Sequence, residues 1–222
     1  SESALIPVRP EWTDSSDLLG YVDIQEQFQP GGFLKVLNEA NKNKHKHYVC
    51  VIDEMNLARV EHYFAEVLSH IEAREGSPEA GYQSKPLLSR VLNEGDDYAD
   101  VCLTPNFAVV GTVNMDESSY TFSRKVLDRA FTLELSDVDL SQVNQVDAEN
   151  PLQPTRWDLQ LWCPRAVQLG EIPDVLQVPE VKRTIDALQD VNKILIGAQL
   201  QVGYRPRDEI ALFLLNARDI EE

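Results

Sequence analysis

Basic side chains are scarce in this sequence. Its 222 residues include 20 Lys and Arg against 37 Asp and Glu, which gives a formal net charge of -17. Proteins that bind nucleic acid over a broad surface neutralise its phosphates with clustered Lys and Arg. The charge balance therefore excludes a general nucleic-acid-binding surface on this chain, although a local basic loop is still compatible with it.

Cysteines and long apolar runs are also scarce. The three cysteines, Cys50, Cys102 and Cys163, are widely spaced and form no CxxC pair, which favours a reducing compartment over a disulfide framework. No apolar run approaches the roughly 18 to 20 residues of a membrane span, and the polar N-terminus lacks the apolar segment of a signal peptide. The hydrophobic content of 43% is that of a globular protein. We therefore expect a soluble, cytoplasmic protein with no membrane partner.

The stretch YVCVIDEMN, residues 48–56, carries the clearest chemical signal. Its apolar residues 48–52 predict a strand buried on both faces, and two adjacent carboxylates, Asp53 and Glu54, follow directly. In open α/β sheets, ligands bind outside the carboxyl ends of parallel strands. In nucleoside triphosphatases, the first acid at such a position holds magnesium and the second can polarise the attacking water. A buried strand that runs into an acidic turn is the alternative.

A second apolar run, residues 107–113, ends at Asn114. Between the two runs, the apolar spacing predicts an amphipathic helix from Asn56, as its N-cap, to about Arg74. Two apolar strands separated by a helix predict a βαβ-type unit, in which the strand ends share one edge of the sheet. We therefore expect Asn114 to approach Asp53 and Glu54. The alternative is that the Asn114 side chain only caps the turn between the strand and the next helix.

The remaining segments complete the predicted organisation. Residues 5–9 predict a short strand, residues 12–21 a loop with an apolar plug, and residues 32–42 a helix. Residues 85–92 and 98–104 predict a hairpin, and residues 125–128 a short helix before a β-like run at 131–135. Amphipathic helices are predicted at 179–196 and 207–218. The predicted division is an α/β domain over residues 1–136 and a smaller helical domain over residues 137–222.

Four segments, taken together, resemble the second half of an AAA+ nucleotide-hydrolysing module. They are VCVIDEMN, the helix after it, NFAVVGTVNMDE and FSRKVLDRA. The group that they resemble contains the McrB-like restriction motors and the MoxR-type ATPases, and the resemblance covers about residues 5–136. It implies an α/β fold, a truncated AAA+ parallel-sheet core with the Walker B and sensor 1 strands, followed by a small helical lid domain.

The resemblance implies roles for the residues at the two strand ends. Asp53 resembles the Walker B acid that holds Mg²⁺, and Glu54 resembles the acid that activates water. Asn114 resembles sensor 1, whose amide orients the water or touches the γ-phosphate. The implied cofactors are Mg²⁺ and a nucleoside triphosphate. ATP and GTP are both left open, because nothing in the sequence distinguishes adenine from guanine.

Two arginines complete the implied site. Arg129, in VLDRA, resembles the arginine finger that a subunit presents to its neighbour's nucleotide. Arg124 is the competing choice, and a surface pair with Asp128 or Glu134 is the structural alternative for Arg129. Arg205, in GYRPRDEI, resembles sensor 2 and would contact the nucleotide, and Arg207 is nearly as good a match.

One element of the family pattern is missing. A phosphate-binding P-loop requires GxxxxGK[ST], and these 222 residues contain no such motif. We interpret the sequence as the part of the module that follows the P-loop; natural loss of the loop is the alternative. This chain alone is therefore expected to be inactive.

The resemblance also implies the activity and partners of the intact protein. It implies a homo-oligomeric ring that couples NTP hydrolysis to remodelling or translocation in a McrB-like modification-dependent restriction system or a related DNA-processing system. A McrC-like nuclease is the implied partner, and DNA would be contacted through other domains or pore loops, for which Lys85 and Arg90 are candidates. A MoxR-like protein-remodelling ATPase and a non-catalytic AAA+-like scaffold are the alternatives.

Overall fold

A three-stranded parallel sheet lies at the centre of the fold. The computed structural model describes residues 2–77, 80–89, 91–93, 95–114, 119–134, 166 and 168–221. The sheet contains β1 (Glu2–Pro7), β4 (Tyr48–Asp53) and β7 (Phe107–Gly111), in the order β1-β4-β7. Both neighbouring pairs are parallel, and Ile6, Ile52 and Gly111 are aligned across the sheet. The protein is therefore of mixed α/β class. The two predicted strands are confirmed, but their predicted burial on both faces is wrong for β7, where Val110 is exposed.

The N-terminal strand is also confirmed, with shifted bounds, and the helix predicted at residues 32–42 is confirmed with the same bounds. The strand predicted at residues 5–9 begins at Glu2 and ends at Pro7. The helix α2 (Gly32–Lys42) buries Phe33, Leu34 and Leu37 completely, because the three- and four-residue spacing of its apolar residues turns one face towards β1 and β4.

The segment predicted as a loop at 12–21 is partly ordered into secondary structure. The short helix α1 (Ser16–Leu19) buries Leu18 and Leu19, which confirms the apolar plug. It leads into an antiparallel pair, β2 (Gly20–Val22) and β3 (Phe28–Pro30). Between these strands, the Asp23 carboxylate accepts hydrogen bonds from the backbone N–H groups of Gln25 and Gln27, both at 2.9 Å.

The single helix predicted from Asn56 to Arg74 is wrong. The structure has a 3₁₀ turn at Met55–Leu57, then α3 (Val60–Tyr63) and α4 (Ala65–Glu72). The Asn56 side chain does not cap a helix; it is buried and donates a hydrogen bond to the Asn114 carbonyl at 2.8 Å. The Tyr63 hydroxyl donates to the Met55 carbonyl at 2.9 Å, which holds the 3₁₀ turn against α3.

The hairpin predicted from residues 85–92 and 98–104 is also wrong. The observed hairpin lies earlier in the chain and pairs β5 (Arg74–Ser77) with β6 (Gly81–Ser84). The two predicted segments do run beside each other, since the Leu87 N–H donates to the Val101 carbonyl at 3.0 Å. They form turns, however, and no strand is assigned in the described part of either segment.

The region after β7 contains the short helix α5 (Arg124–Leu127), close to its predicted position. Residues 131–134 of the predicted β-like run form no strand. Phe131 is 67% exposed and stacks on Phe213 with ring centroids 4.8 Å apart. Several residues of the sequence predictions lie outside the described residues: Arg90, residue 135, and residues 137–165 of the predicted helical domain, which include Cys163.

The two C-terminal amphipathic helices are confirmed as α6 (Pro179–Leu195) and α7 (Tyr204–Glu221). A small hydrophobic cluster joins them and contains Val181, Ala211 and Leu215. Other apolar residues of α6 are not fully buried, and Val191 is 44% exposed. A larger cluster, built around α2, β4 and α3, forms the core of the α/β part. The predicted boundary between residues 136 and 137 stays a prediction.

No helix within the described ranges is long and apolar enough to cross a membrane.

Candidate functional site

Two acidic residues lie at the carboxyl end of the central strand. Asp53 is the last residue of β4 and is half-buried, whereas Glu54 is exposed. Glu54 adopts a left-handed backbone conformation, with φ of 50° and ψ of 49°. A non-glycine residue in this region is uncommon, and such conformations persist only where surrounding contacts hold them. The sharp turn that results sends the chain away from the sheet directly after the two carboxylates.

Thr112 provides the contacts that hold this turn. Its hydroxyl donates to Asp53 Oδ1 at 2.7 Å and accepts a hydrogen bond from the Glu54 N–H at 2.8 Å. Its backbone extends the pairing of β4 and β7, since the Met55 N–H donates to the Thr112 carbonyl at 2.8 Å. Thr112 was not among the candidate residues predicted from the sequence. The signal was its position near the end of the second apolar run, two residues before Asn114 and at the same sheet edge as the acids.

Asn114 completes this group of side chains, here named the strand-end cluster: Asp53, Glu54, Thr112 and Asn114. The Asn114 side chain donates to Glu54 Oε1 at 3.3 Å. Its carbonyl accepts hydrogen bonds from the Asn56 side chain at 2.8 Å and from the Ser119 hydroxyl at 3.0 Å. The expected approach of Asn114 to the acids is confirmed for Glu54. Its role as sensor 1 stays a prediction.

The strand-end cluster offers oxygen ligands and a positioned amide. Carboxylate oxygens suit Mg²⁺, which usually keeps several waters and takes only one or two ligands from the protein. Among the described residues there is no group of three or more His, Cys, Asp or Glu that could hold a metal ion. Asp53 therefore fits a magnesium ion that is otherwise coordinated by water and substrate phosphates, and not one enclosed by protein ligands.

The two arginines of the predicted site meet at a different place. Arg129 Nη2 and Glu72 Oε2 form an ion pair, and Arg129 Nη1 donates to the Lys125 carbonyl at 2.9 Å. Arg205 Nη1 donates to the other Glu72 oxygen, Oε1, at 2.7 Å. Glu72 ends α4 and was not among the candidates from the sequence. Within the described ranges, no hydrogen bond or ion pair joins either arginine to Asp53 or Glu54.

The environment of Glu72 favours its charged form. The hydrogen bond from Arg129 is the main reason why the pKa of Glu72 lies below its ordinary value of 4.5, and the charges of Arg205 and Arg129 act in the same direction. Partial burial opposes this shift. At neutral pH, Glu72 is therefore a carboxylate shared between two guanidinium groups.

The competing arginine candidates have other surroundings. Arg124 is the first residue of α5 and is exposed. Arg207 donates from Nε to Asp208 Oδ1 at 2.7 Å, and its guanidinium lies 5.1 Å from the centroid of the Tyr204 ring. The expected alternative for Arg129, a surface pair with Asp128 or Glu134, gives way to the pair with Glu72.

Two clefts accompany these features. The larger, of about 540 Å³, lies beside Asn41 and Cys102, and its lining includes no residue of the strand-end cluster. Burial raises the pKa of the Cys102 thiol, so this thiol is a poor nucleophile. The smaller cleft, of about 310 Å³, includes Glu72, Arg129 and Arg205 in its lining. The chemistry-bearing residues are thus divided between the open sheet edge and the smaller cleft.

Comparison of the sequence with protein-family models gives no match. Comparison with curated proteins gives no significant match either. Membership of the AAA+ family therefore stays a prediction. The residues that bear on function are the strand-end cluster and the arginines at Glu72.

Proposed function

We propose that this chain contains the hydrolytic half of an AAA+ nucleoside triphosphatase, with the Walker B and sensor 1 strands in β4 and β7. The observation that supports the proposal is the strand-end cluster, in which Asp53 and Glu54 follow one parallel strand and Asn114 follows its neighbour. The Asn114 amide lies 3.3 Å from Glu54 Oε1. This is the arrangement that a water-activating acid and an orienting amide require.

The proposed chemistry assigns one task to each of these residues. Asp53 would hold Mg²⁺ through its carboxylate, and the bound ion would supply positive charge to the phosphates of ATP or GTP. Glu54 accepts the proton of the attacking water, and Asn114 orients that water or the γ-phosphate. Thr112 fixes the directions of both acids through its hydroxyl, which contacts the Asp53 carboxylate and the Glu54 backbone.

The chain contains no GxxxxGK[ST] motif. The proposal therefore requires that a segment outside these 222 residues supplies the phosphate-binding half of the site. Two features are compatible with such a segment. β7 lies at the edge of the sheet, so its outer side can pair with a further strand. Glu54 and Asn114 are exposed at the strand ends, where a nucleotide can approach them.

The arginines suggest a ring assembly. In the proposed homo-oligomeric ring, Arg129 acts as the finger that stabilises charge on a neighbour's transferred phosphoryl group, and Arg205 acts as sensor 2. The helical part that contains α6 and α7 is the proposed lid. A McrB-like restriction motor with a nuclease partner is the proposed setting, and DNA contacts come from other domains or pore loops because the net charge of this chain is -17.

The proposal is tested by Glu54→Gln in the protein that includes the sequence encoded directly upstream. We expect hydrolysis of ATP or GTP to fall by at least about a hundredfold, in the range for loss of a general base, while nucleotide binding is retained. Glu66→Gln is the matched control, since it removes one exposed carboxylate from α4 and leaves the strand ends intact. Undiminished hydrolysis in Glu54→Gln would remove the proposed role of Glu54.

A non-catalytic AAA+-like scaffold is the second candidate, and the missing phosphate-loop motif is the observation that favours it. The upstream coding sequence separates the two candidates. A GxxxxGK[ST] motif there supports the nucleoside triphosphatase, and its absence supports the scaffold. A MoxR-like remodelling ATPase has the same motifs, and stimulation of hydrolysis by DNA distinguishes the restriction motor from it.

A further inference from the structure

Glu72 connects two arginines that are far apart in the sequence. Each of its carboxylate oxygens forms an ion pair with a different guanidinium group, Oε2 with Arg129 and Oε1 with Arg205. Arg129 follows α5 in the α/β part, whereas Arg205 lies in the first turn of α7. One carboxylate at the end of α4 thereby joins the two parts of the molecule.

The burial of this group distinguishes it from an ordinary surface pair. The Arg129 side chain is only 17% exposed, and the Arg205 side chain is 31% exposed. The buried Arg129 Nε has no hydrogen-bond acceptor among the described residues. A buried donor without an acceptor costs free energy, so the pairing of Arg129 with Glu72 leaves one donor of the guanidinium group unsatisfied.

We propose that Glu72 is a positioning residue that occupies Arg129 and Arg205 in the place of phosphoryl groups, and that polyphosphate anions compete with the Glu72 carboxylate for these arginines. In the proposed ring, the competing anion is the neighbour's nucleotide for Arg129 and the chain's own nucleotide for Arg205. The inference depends on the proposed function for the identity of the competing ligand. The arginines are then held paired with Glu72 until nucleotide is present, and the docking of α7 on the α/β part is weakened when they leave Glu72.

The chemistry of the two anions supports this exchange. Guanidinium groups bind carboxylates and phosphates through the same planar pairs of N–H donors. A polyphosphate presents more oxygens and more negative charge than a carboxylate, so it can compete with Glu72 for a guanidinium group. The adjacent cleft of about 310 Å³ is lined by both arginines and by Tyr204 and Gln168, and gives an anion access to them.

The test measures binding of inorganic tripolyphosphate to the full 222-residue chain by NMR titration of the arginine side-chain N–H signals. We expect Glu72→Gln to raise the affinity by roughly two- to fivefold, the range expected from releasing partly exposed ion pairs. Glu75→Gln is the matched control. It removes the same charge nearby, from a residue whose partner is the exposed Lys85 at 3.4 Å, and so it measures the general effect of lowering the negative charge.

The dependence of the tripolyphosphate affinity on Arg205 identifies the binding site. In Glu72→Gln, the further change Arg205→Gln should abolish the gain. Equal affinities in Glu72→Gln and Glu75→Gln, or no arginine-dependent signal in either, would overturn the proposal and leave Glu72 with a structural role only. If Glu72→Gln does not fold, Glu72→Asp keeps the charge but is too short to hold both arginines, and the same gain is expected.

This measurement requires no hydrolysis. A failure here therefore leaves the proposed function intact, whereas a failure of the proposed function is detected separately, as continued hydrolysis in the Glu54→Gln protein.

Discussion

The hydroxyl of Thr112 determines how the two acids at the end of β4 are presented. It bridges the Asp53 carboxylate and the Glu54 N–H at 2.7 and 2.8 Å. Because Glu54 lies in the left-handed region, its N–H points away from an ordinary strand partner and needs this acceptor. The turn and the direction of both acids therefore depend on one side chain.

Thr112→Val tests this dependence. The variant removes both hydrogen bonds while keeping the shape of the side chain, so we expect the free energy of unfolding to fall by about 1 kcal/mol. Thr112→Ser is the control, because it keeps the hydroxyl and should lose less. Both values come from urea unfolding of the 222-residue chain. Equal stability of the two variants would show that the hydroxyl does not support the turn.

At this scale the sequence predicted the paired acids and the approach of Asn114, since both follow from residue type and strand ends. It did not predict Glu72, because the sequence has 37 acidic residues and nothing local distinguishes this one. Its importance comes from the approach of Arg129 and Arg205, which follow it by 57 and 133 positions. Contacts at such separations depend on how the elements pack.

Among the elements, the junction between α1 and α2 depends on one glycine of an adjacent pair. A Cβ on Gly31 would lie 2.3 Å from the Leu18 carbonyl oxygen, which is backbone and cannot rotate away. Gly31 also donates its N–H to the Leu19 carbonyl at 3.0 Å. A Cβ on the neighbouring Gly32 would meet only Ile6 Cδ1, at an ordinary 3.5 Å.

The two glycines should therefore respond in opposite ways to alanine. Gly31→Ala forces α1 and α2 apart, and we expect it to lower the free energy of unfolding by about 2 to 3 kcal/mol. Gly32→Ala is the matched control at the start of α2 and should be neutral or slightly stabilising, since alanine is the better helix former. Denaturant unfolding measures both. A similar loss in both variants would contradict the close packing of α1 on the N-terminus of α2.

Helix predictions from apolar spacing hold where no tertiary contact competes with the local helical preference. Helices α2 and α6 have uninterrupted apolar spacing and lie close to where the sequence predicts them. The segment after Glu54 has equally good spacing, yet it is broken into a 3₁₀ turn and two short helices. Burial of the Asn56 side chain against the Asn114 carbonyl, a tertiary contact, overrides the local helical preference there.

For the whole molecule, the central sheet is covered unevenly. Tyr48, Cys50 and Ile52 of β4 are buried on one face, whereas on the other face the aligned Leu5 and Val110 are 63% and 47% exposed. Parallel sheets are ordinarily covered on both faces. The predicted α/β class is confirmed, but the open face could not be predicted, because the apolar runs at residues 48–52 and 107–113 indicated strands buried on both faces.

Two hydrophobic clusters divide the molecule, one around α2 and β4 and one between α6 and α7. The contacts that connect the two parts include the Glu72–Arg205 pair and the stacked rings of Phe131 and Phe213. A partly exposed ion pair and a single ring stack contribute little free energy compared with a buried core. We therefore expect the C-terminal helices to unfold as a separate cooperative unit.

Val181→Ala tests this separation. Val181 is fully buried and lies in α6, so the variant should lower the local stability of α6 and α7 by about 2 kcal/mol. Hydrogen exchange read by mass spectrometry should then show faster exchange in both C-terminal helices and unchanged protection in α2 and β4. Val191→Ala, at a position that is 44% exposed on the same helix, is the matched control and should change neither region. Equal loss of protection throughout the chain in Val181→Ala would mean instead that the α/β part and the helical part unfold together.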